Sequence, residues 1–199
     1  MALNALVYDL EIIKAIPIKD ARVEGVAYCD GWGDHANMGI SVIGAYDYAT
    51  DRYRVFTKEQ FPEFAELSLN REPLVGHNII GFDNRVLDAC GVFAAQPPTA
   101  LCYDTLAELW VAAGLGRTFA GAKHGGFSLD RAAEVNFGKH KTGNGAFAPV
   151  DWQRGNIGTV IDYCLEDVRL TRLLFERMSR DGFAIDPRDG RSILRTKIL

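Results

Sequence analysis

Asp9 and Glu11 stand two residues apart in the otherwise apolar run VYDLEI. Residues i and i+2 of a strand share a face. On a strand, these two carboxylates therefore project together while Tyr8 and Leu10 project the other way. Carboxylates held this close repel each other unless a positive charge lies between them. A hard divalent cation meets that need, because magnesium prefers oxygen ligands and takes one or two carboxylates. Taken alone, the D-x-E pair also fits a strand end whose acids simply reach water.

Two further stretches carry acids at telling positions. In GHNIIGFDNRVL, Asp83 falls at an expected helix start, where peptide dipoles favour a negative charge. In isolation it reads equally well as an ordinary first-turn acid. His77 has no second histidine at ligand spacing, so a locally hydrogen-bonded loop histidine is the reading there. In IDYCLEDVRLTRLLFE, the apolar residues Val160, Ile161, Cys164, Leu165, Val168 and Phe175 mark a core-facing arc at 100° per residue. Asp162 and Glu166 fall on the opposite, solvated side. Asp167 falls at the margin of the apolar arc, one turn after Tyr163, and i,i+4 residues are neighbours on a helix. The pair is a phenol above a carboxylate, facing inward, and alone it reads equally well as a tyrosine hydroxyl that satisfies a half-buried aspartate. Four acids from a strand, a helix start and a long helix can converge on one cleft. That is the ligand supply for two cations about 3.5–4 Å apart, the arrangement of metal-assisted phosphoryl transfer.

The elements that must position these residues are legible from periodicity. Residues 3–10, 38–48 and 52–57 read as three consecutive antiparallel strands. A helical period follows over 58–69, then a short strand at 73–76, a short helix at 83–90, a strand at 100–103 and a helix at 105–113. Ser128 is an expected N-cap for a helix that stops near Gly138. Residues 139–155, rich in Gly, Lys and Asn, read as a mobile loop, and 157–180 is the longest helical pattern. Three antiparallel strands followed by alternating helices and strands predict an α/β layered domain with a mixed sheet. The loop 29–37, with three glycines in YCDGWGDHANMG and Trp32, is a candidate substrate-side loop, and its residues assign it no chemistry.

Composition bounds the rest. A chain of 199 residues, 48% hydrophobic and 24% charged, suits one domain with a real core. The net charge of −4 advertises no global basic field, though a local basic groove remains compatible with it. Cys29, Cys90, Cys102 and Cys164 form no C-x-x-C pair, so reduced thiols are expected. The N-terminus lacks a signal-peptide pattern and no run is long enough to span a membrane, so a cytoplasmic, intracellular protein is expected.

With the three stretches in order, the chain resembles the DEDD superfamily of 3′–5′ exonucleases. YDLE resembles the first motif, giving Asp9 and Glu11. HNIIGFD resembles the second, giving Asp83 with Asn78 and Phe82 beside it. YCLED resembles the third in its Y-x-x-x-D form, giving Tyr163 and Asp167. The histidine subclass would need His at 162, where this chain has Asp. The resemblance is therefore to the DEDDy group, and most closely to the proofreading exonuclease domain of family B DNA polymerases, which FSLDRAAEVNFGKHKTG also resembles. It implies a ribonuclease H-like fold, a mixed five-stranded sheet flanked by helices. The third motif lies close to the chain's end, so a single exonuclease domain over 1–199, without polymerase palm or fingers, is expected.

The resemblance implies two Mg²⁺ or Mn²⁺ ions held by Asp9, Glu11, Asp83 and Asp167, with Asp9 bridging them and Tyr163 orienting the attacking water. The implied product is a nucleoside 5′-monophosphate from single-stranded or frayed DNA 3′ ends, with protein partners unknown. Asn78 and Phe82 are the candidates for holding the terminal nucleotides, with Phe82 equally readable as a core aromatic. Arg117, Lys123, Arg131, Lys139 and Lys141, with His124 and His140, are candidates for guiding the phosphate backbone, or ordinary solvated surface that Asp130 and Glu134 dilute. A 3′–5′ exoribonuclease with the same residue set, or a catalytically silent nucleic-acid-binding module, are the alternative readings.

Overall fold

A computed structural model describes residues 3–17, 22–119, 121–140 and 145–199. The first strand, β1 (Leu6–Ile12), is covered on both faces, and only Asp9 is less than fully buried along it. A short helix, α1 (His35–Met38), leads into β2 (Ile40–Asp47), which returns antiparallel to β1. A turn at Thr50-Asp51 then sends β3 (Arg52–Phe56) back along β2. After helix α2 (Phe61–Leu69) the chain switches hand. Strand β4 (Leu74–Gly76) pairs parallel to β1 on its other side. Helix α3 (Asp83–Ala89) precedes β5 (Cys102–Asp104), parallel to β4, and α4 (Thr105–Ala112) follows directly. The five-stranded sheet has the order β3-β2-β1-β4-β5. Three antiparallel strands followed by parallel ones is the expected architecture.

The remaining helices are α5 (Leu129–Phe137), α6 (Ala148–Gln153) and α7 (Ile157–Glu176). The Ser128 side chain caps α5 by accepting the Arg131 N–H, and Gly138 ends the helix in the left-handed region, as expected. Two layers sandwich the sheet. Leu6, Tyr8 and Leu10 share a core with Phe64 of α2 and Val86 and Leu87 of α3. Val7 shares the other with Leu109 of α4, Ala132 of α5 and Val168, Leu170 and Leu174 of α7. Because β1 alternates between the two, its odd-numbered side chains face α7.

The structure corrects three expectations. Strand β1 starts later than residue 3 and runs on to Ile12, so Asp9 and Glu11 lie within it. The pairing register then slips between Glu11 and Ile12, where Ser41 of β2 is the extra, unpaired residue beside the acids. The expected loop 139–155 contains α6, which starts with Pro149 at its first turn and packs Ala148 with Val42, Val160 and Tyr163. The Gln153 amide ties its end down by donating to the carbonyls of Ile13 at 2.8 Å and Ala27 at 3.1 Å. The long helix stops at Glu176 and loosens into one π-helical turn over Arg177–Asp181. A small hairpin of β6 (Phe183–Ile185) and β7 (Ile193–Arg195) follows.

Candidate metal centre and its cleft

Strand β1 and helix α7 bring three carboxylates together. Asp9, Glu11 and Asp167 each offer an oxygen, and the three oxygens lie within 4.8 Å of one another. The approach depends on Gly44 of β2, which stands directly opposite Asp9. A Cβ at Gly44 would lie 2.9 Å from Cys164 Sγ and 3.3 Å from a Val168 methyl, both on α7. With no side chain there, α7 settles against the sheet and carries Asp167 to the odd face of β1. The wheel reading holds for Asp167 and Tyr163, which are buried, and for Asp162, which is exposed; Glu166 is mostly covered instead, paired with the exposed Arg169.

Three anionic groups at this spacing do not rest together unaided. At 4.8 Å and an effective dielectric constant near 20, each ionised pair repels by roughly 3 kcal/mol. The donors are all hard oxygens, a set that fits a divalent cation such as Mg²⁺, Mn²⁺ or Ca²⁺.

Asp83 reaches the same cleft from the other layer. It opens α3, is buried, and its Oδ1 accepts the Leu10 backbone N–H at 3.2 Å. Burial pushes its carboxyl up to about 7. The charges of Asp104 and Asp167 push the same way, and its own and Leu10's N–H groups oppose them. Asp83 stands outside the tight trio yet lines the same cavity of about 700 Å³, together with Asp9, Glu11, Tyr163 and Asp167. Above the phenol sits Gly145, where a Cβ would lie 2.9 Å from the Tyr163 hydroxyl.

Asn78 and Phe82 line this cavity too, Asn78 with a left-handed backbone at φ 72°. His77 is held as the loop reading expects, with Nδ1 2.9 Å from Thr105 Oγ1 and Nε2 3.0 Å from the Phe127 carbonyl, although it also borders the cavity. The basic residues separate. Lys139 and His140 are exposed and away from the described lining, and Arg117 and Arg131 pair with Glu108 and Glu134. His124 is at the cavity wall, while Lys141 and the side chain of Lys123 lie outside the described residues.

Two residues of the site carried no expected role. The buried Asp104 accepts the N–H groups of Asn78 at 2.9 Å and Ile80 at 3.0 Å, while capping α4 through Leu106 and Ala107. It thereby fixes the loop that delivers Asp83. Burial raises its carboxyl above the ordinary range, against these four donors. An acid between a strand and a helix is a legible N-cap signal, whereas its reach back to residues 78–80 is tertiary. The other is Trp32, whose ring stands at the cavity lip 5.9 Å from that of Phe82.

No protein-family model matches the chain, and no curated protein matches it. Among solved structures, 88% of the chain superposes on a family B DNA polymerase from the hyperthermophilic archaeon Pyrobaculum calidifontis. The TM-score is 0.61 at 18% sequence identity. The chain spans 24% of that polymerase's length. At this identity the likeness speaks for the fold, and the fold is an α/β, ribonuclease H-like one: a mixed five-stranded sheet flanked by helices.

Proposed function

We propose that this chain is a metal-dependent 3′–5′ exonuclease of the DEDDy type, acting on DNA ends. The observation that carries the reading is the oxygen trio of Asp9, Glu11 and Asp167 within 4.8 Å, with Asp83 and Tyr163 on the walls of the same cavity. The fold likeness to a DNA polymerase favours DNA over RNA as substrate. Asp9, Glu11 and Asp167 would hold a divalent cation, and Asp83 would complete a second ligand set with Asp9. A bound cation supplies Lewis-acid activation and neutralises charge on the scissile phosphate.

The chain's own groups do the positioning. Tyr163 is buried on the cavity wall, and its phenol orients the attacking water in line with the terminal phosphodiester. The P–O3′ bond breaks, and the last residue leaves as a nucleoside 5′-monophosphate. Asp104 holds the loop of Asn78 so that Asp83 and Phe82 present themselves to the cleft without reorganisation.

The test is a 5′-labelled single-stranded oligonucleotide, as DNA and as RNA, incubated with Mg²⁺ or Mn²⁺. A ladder shortened one nucleotide at a time is expected, suppressed by EDTA and by Asp9→Asn. A single internal cut, or full activity in Asp9→Asn, refutes the assignment. A ladder on RNA alone moves the substrate to RNA.

A further inference from the structure

Trp32 exposes 72% of its surface, yet the loop that carries it is firmly tied. The Asp34 carboxylate accepts the Asp30 N–H at 2.8 Å and the Asn37 side-chain amide at 2.7 Å. The Cys29 N–H donates to the Ala15 carbonyl at 3.1 Å. An indole left in water adds little to folding, so its fixed position calls for another reason. The ring meets Phe82 edge to face at 5.9 Å and 68°, and His35 meets the same phenyl at 6.1 Å. Phe82 is thus half-buried between two rings, one residue before Asp83, while Trp32 remains open to solvent at the lip of the acid cavity.

A nucleotide bound with its phosphate at the carboxylate trio must send its base to an apolar wall of the same cavity. We propose that Trp32 is the platform on which that base stacks, and that Phe82 is the buttress behind it rather than the stacking surface. The inference rests on the nuclease reading and deepens it. Every base presents a π-face, so the platform accepts all four bases and discriminates against an end that has none.

The experiment compares wild type, Trp32→Ala and Trp32→Phe on oligothymidine carrying either a normal or an abasic 3′-terminal residue. Base–aromatic stacking energies predict about a tenfold or greater rise in KM for Trp32→Ala, with kcat nearly unchanged, and Trp32→Phe retains most of the affinity. The abasic end raises the wild-type KM similarly and adds nothing further in Trp32→Ala, because one contact is being removed twice. In parallel, oligothymidine with Ca²⁺ quenches the emission of the exposed tryptophan in wild type, and this component is absent in Trp32→Ala. Two results overturn the proposal while leaving the nuclease reading intact: an unchanged KM in Trp32→Ala, or multiplying effects of the abasic end and the substitution. Wild-type protein that degrades no oligonucleotide overturns both.

Discussion

Asp83→Asn separates what a carboxylate costs the fold from what it gives the site. The folded carboxyl is pushed up to about 7 from an ordinary 3.8, chiefly by burial. Each pH unit of difference is worth about 1.4 kcal/mol. Keeping the group ionised in the metal-free protein therefore costs on the order of 4 kcal/mol. The sign follows from linkage: with the folded value above the unfolded one, the penalty is complete above pH 7. It fades as pH falls through 7 towards 3.8, where both states are protonated. At pH 5 it has shrunk to roughly 2 kcal/mol. Asparagine keeps an oxygen for the Leu10 N–H and carries no charge, and whatever its buried amide costs does not change with pH. Urea unfolding in EDTA, run on both proteins at pH 8 and pH 5, should show the variant gaining on wild type by about 3 kcal/mol between pH 5 and pH 8. Mg²⁺ should then raise the wild-type midpoint more than the variant's, because a cation neutralises a charge the variant lacks. A stability difference that is equal at the two pH values would refute the reasoning, since it would mean that Asp83 does not carry the buried charge.

Further substitutions probe the geometry. Asp9→Asn should abolish turnover, while Tyr163→Phe should cost less, because the phenol orients water and need not ionise; single-turnover rates on a 5′-labelled oligonucleotide rank the two. Gly145→Ala would set a methyl 2.9 Å from the Tyr163 hydroxyl, so turnover should slow while the urea midpoint holds. Gly44→Ala would push Cys164 and Val168 of α7 off the sheet, at a cost of about 1–3 kcal/mol in urea unfolding. Adding Cys164→Ala, which removes the nearer of the two atoms, should recover part of it.

The acids were legible because strand and helix periodicity are local. Counting by two along VYDLEI and by 100° along the last helix puts Asp9, Glu11 and Asp167 on the faces that the structure gives them. Ser128 and Gly138 announced α5 through caps, which are also local chemistry. What escaped has a common cause. Helix α6 has Pro149 at its start and only six residues, too short for periodicity to register, and it is held by Gln153 reaching the carbonyls of Ile13 and Ala27. The second role of Asp104, across to Asn78 and Ile80, spans residues far apart in sequence. Trp32 had no chemistry that its own segment could assign, because its contact with Phe82 joins residues fifty apart in sequence. The basic residues were grouped by sequence proximity, and the fold gives Arg117 and Arg131 acidic partners instead.

The placement of the cleft follows from the sheet itself. Strand β1 is the central strand and the point where the topology turns: its neighbour on one side, β2, is antiparallel, and on the other, β4, is parallel. Ligands in open α/β sheets gather beyond the carboxyl ends of strands at such a switch. Asp9 and Glu11 lie in the last half of β1, just before the bulge that ends its regular pairing. Asp83 follows the carboxyl end of β4, and Asp104 stands at the carboxyl end of β5 holding the loop between. The two layers thus deliver acids to the same strand end from opposite sides, α7 with Asp167 and α3 with Asp83. No single helix–strand contact could assemble four carboxylates without burying them all against one another. Splitting them between layers keeps Asp83 apart from the trio, and burial in its own layer pushes its carboxyl up to about 7.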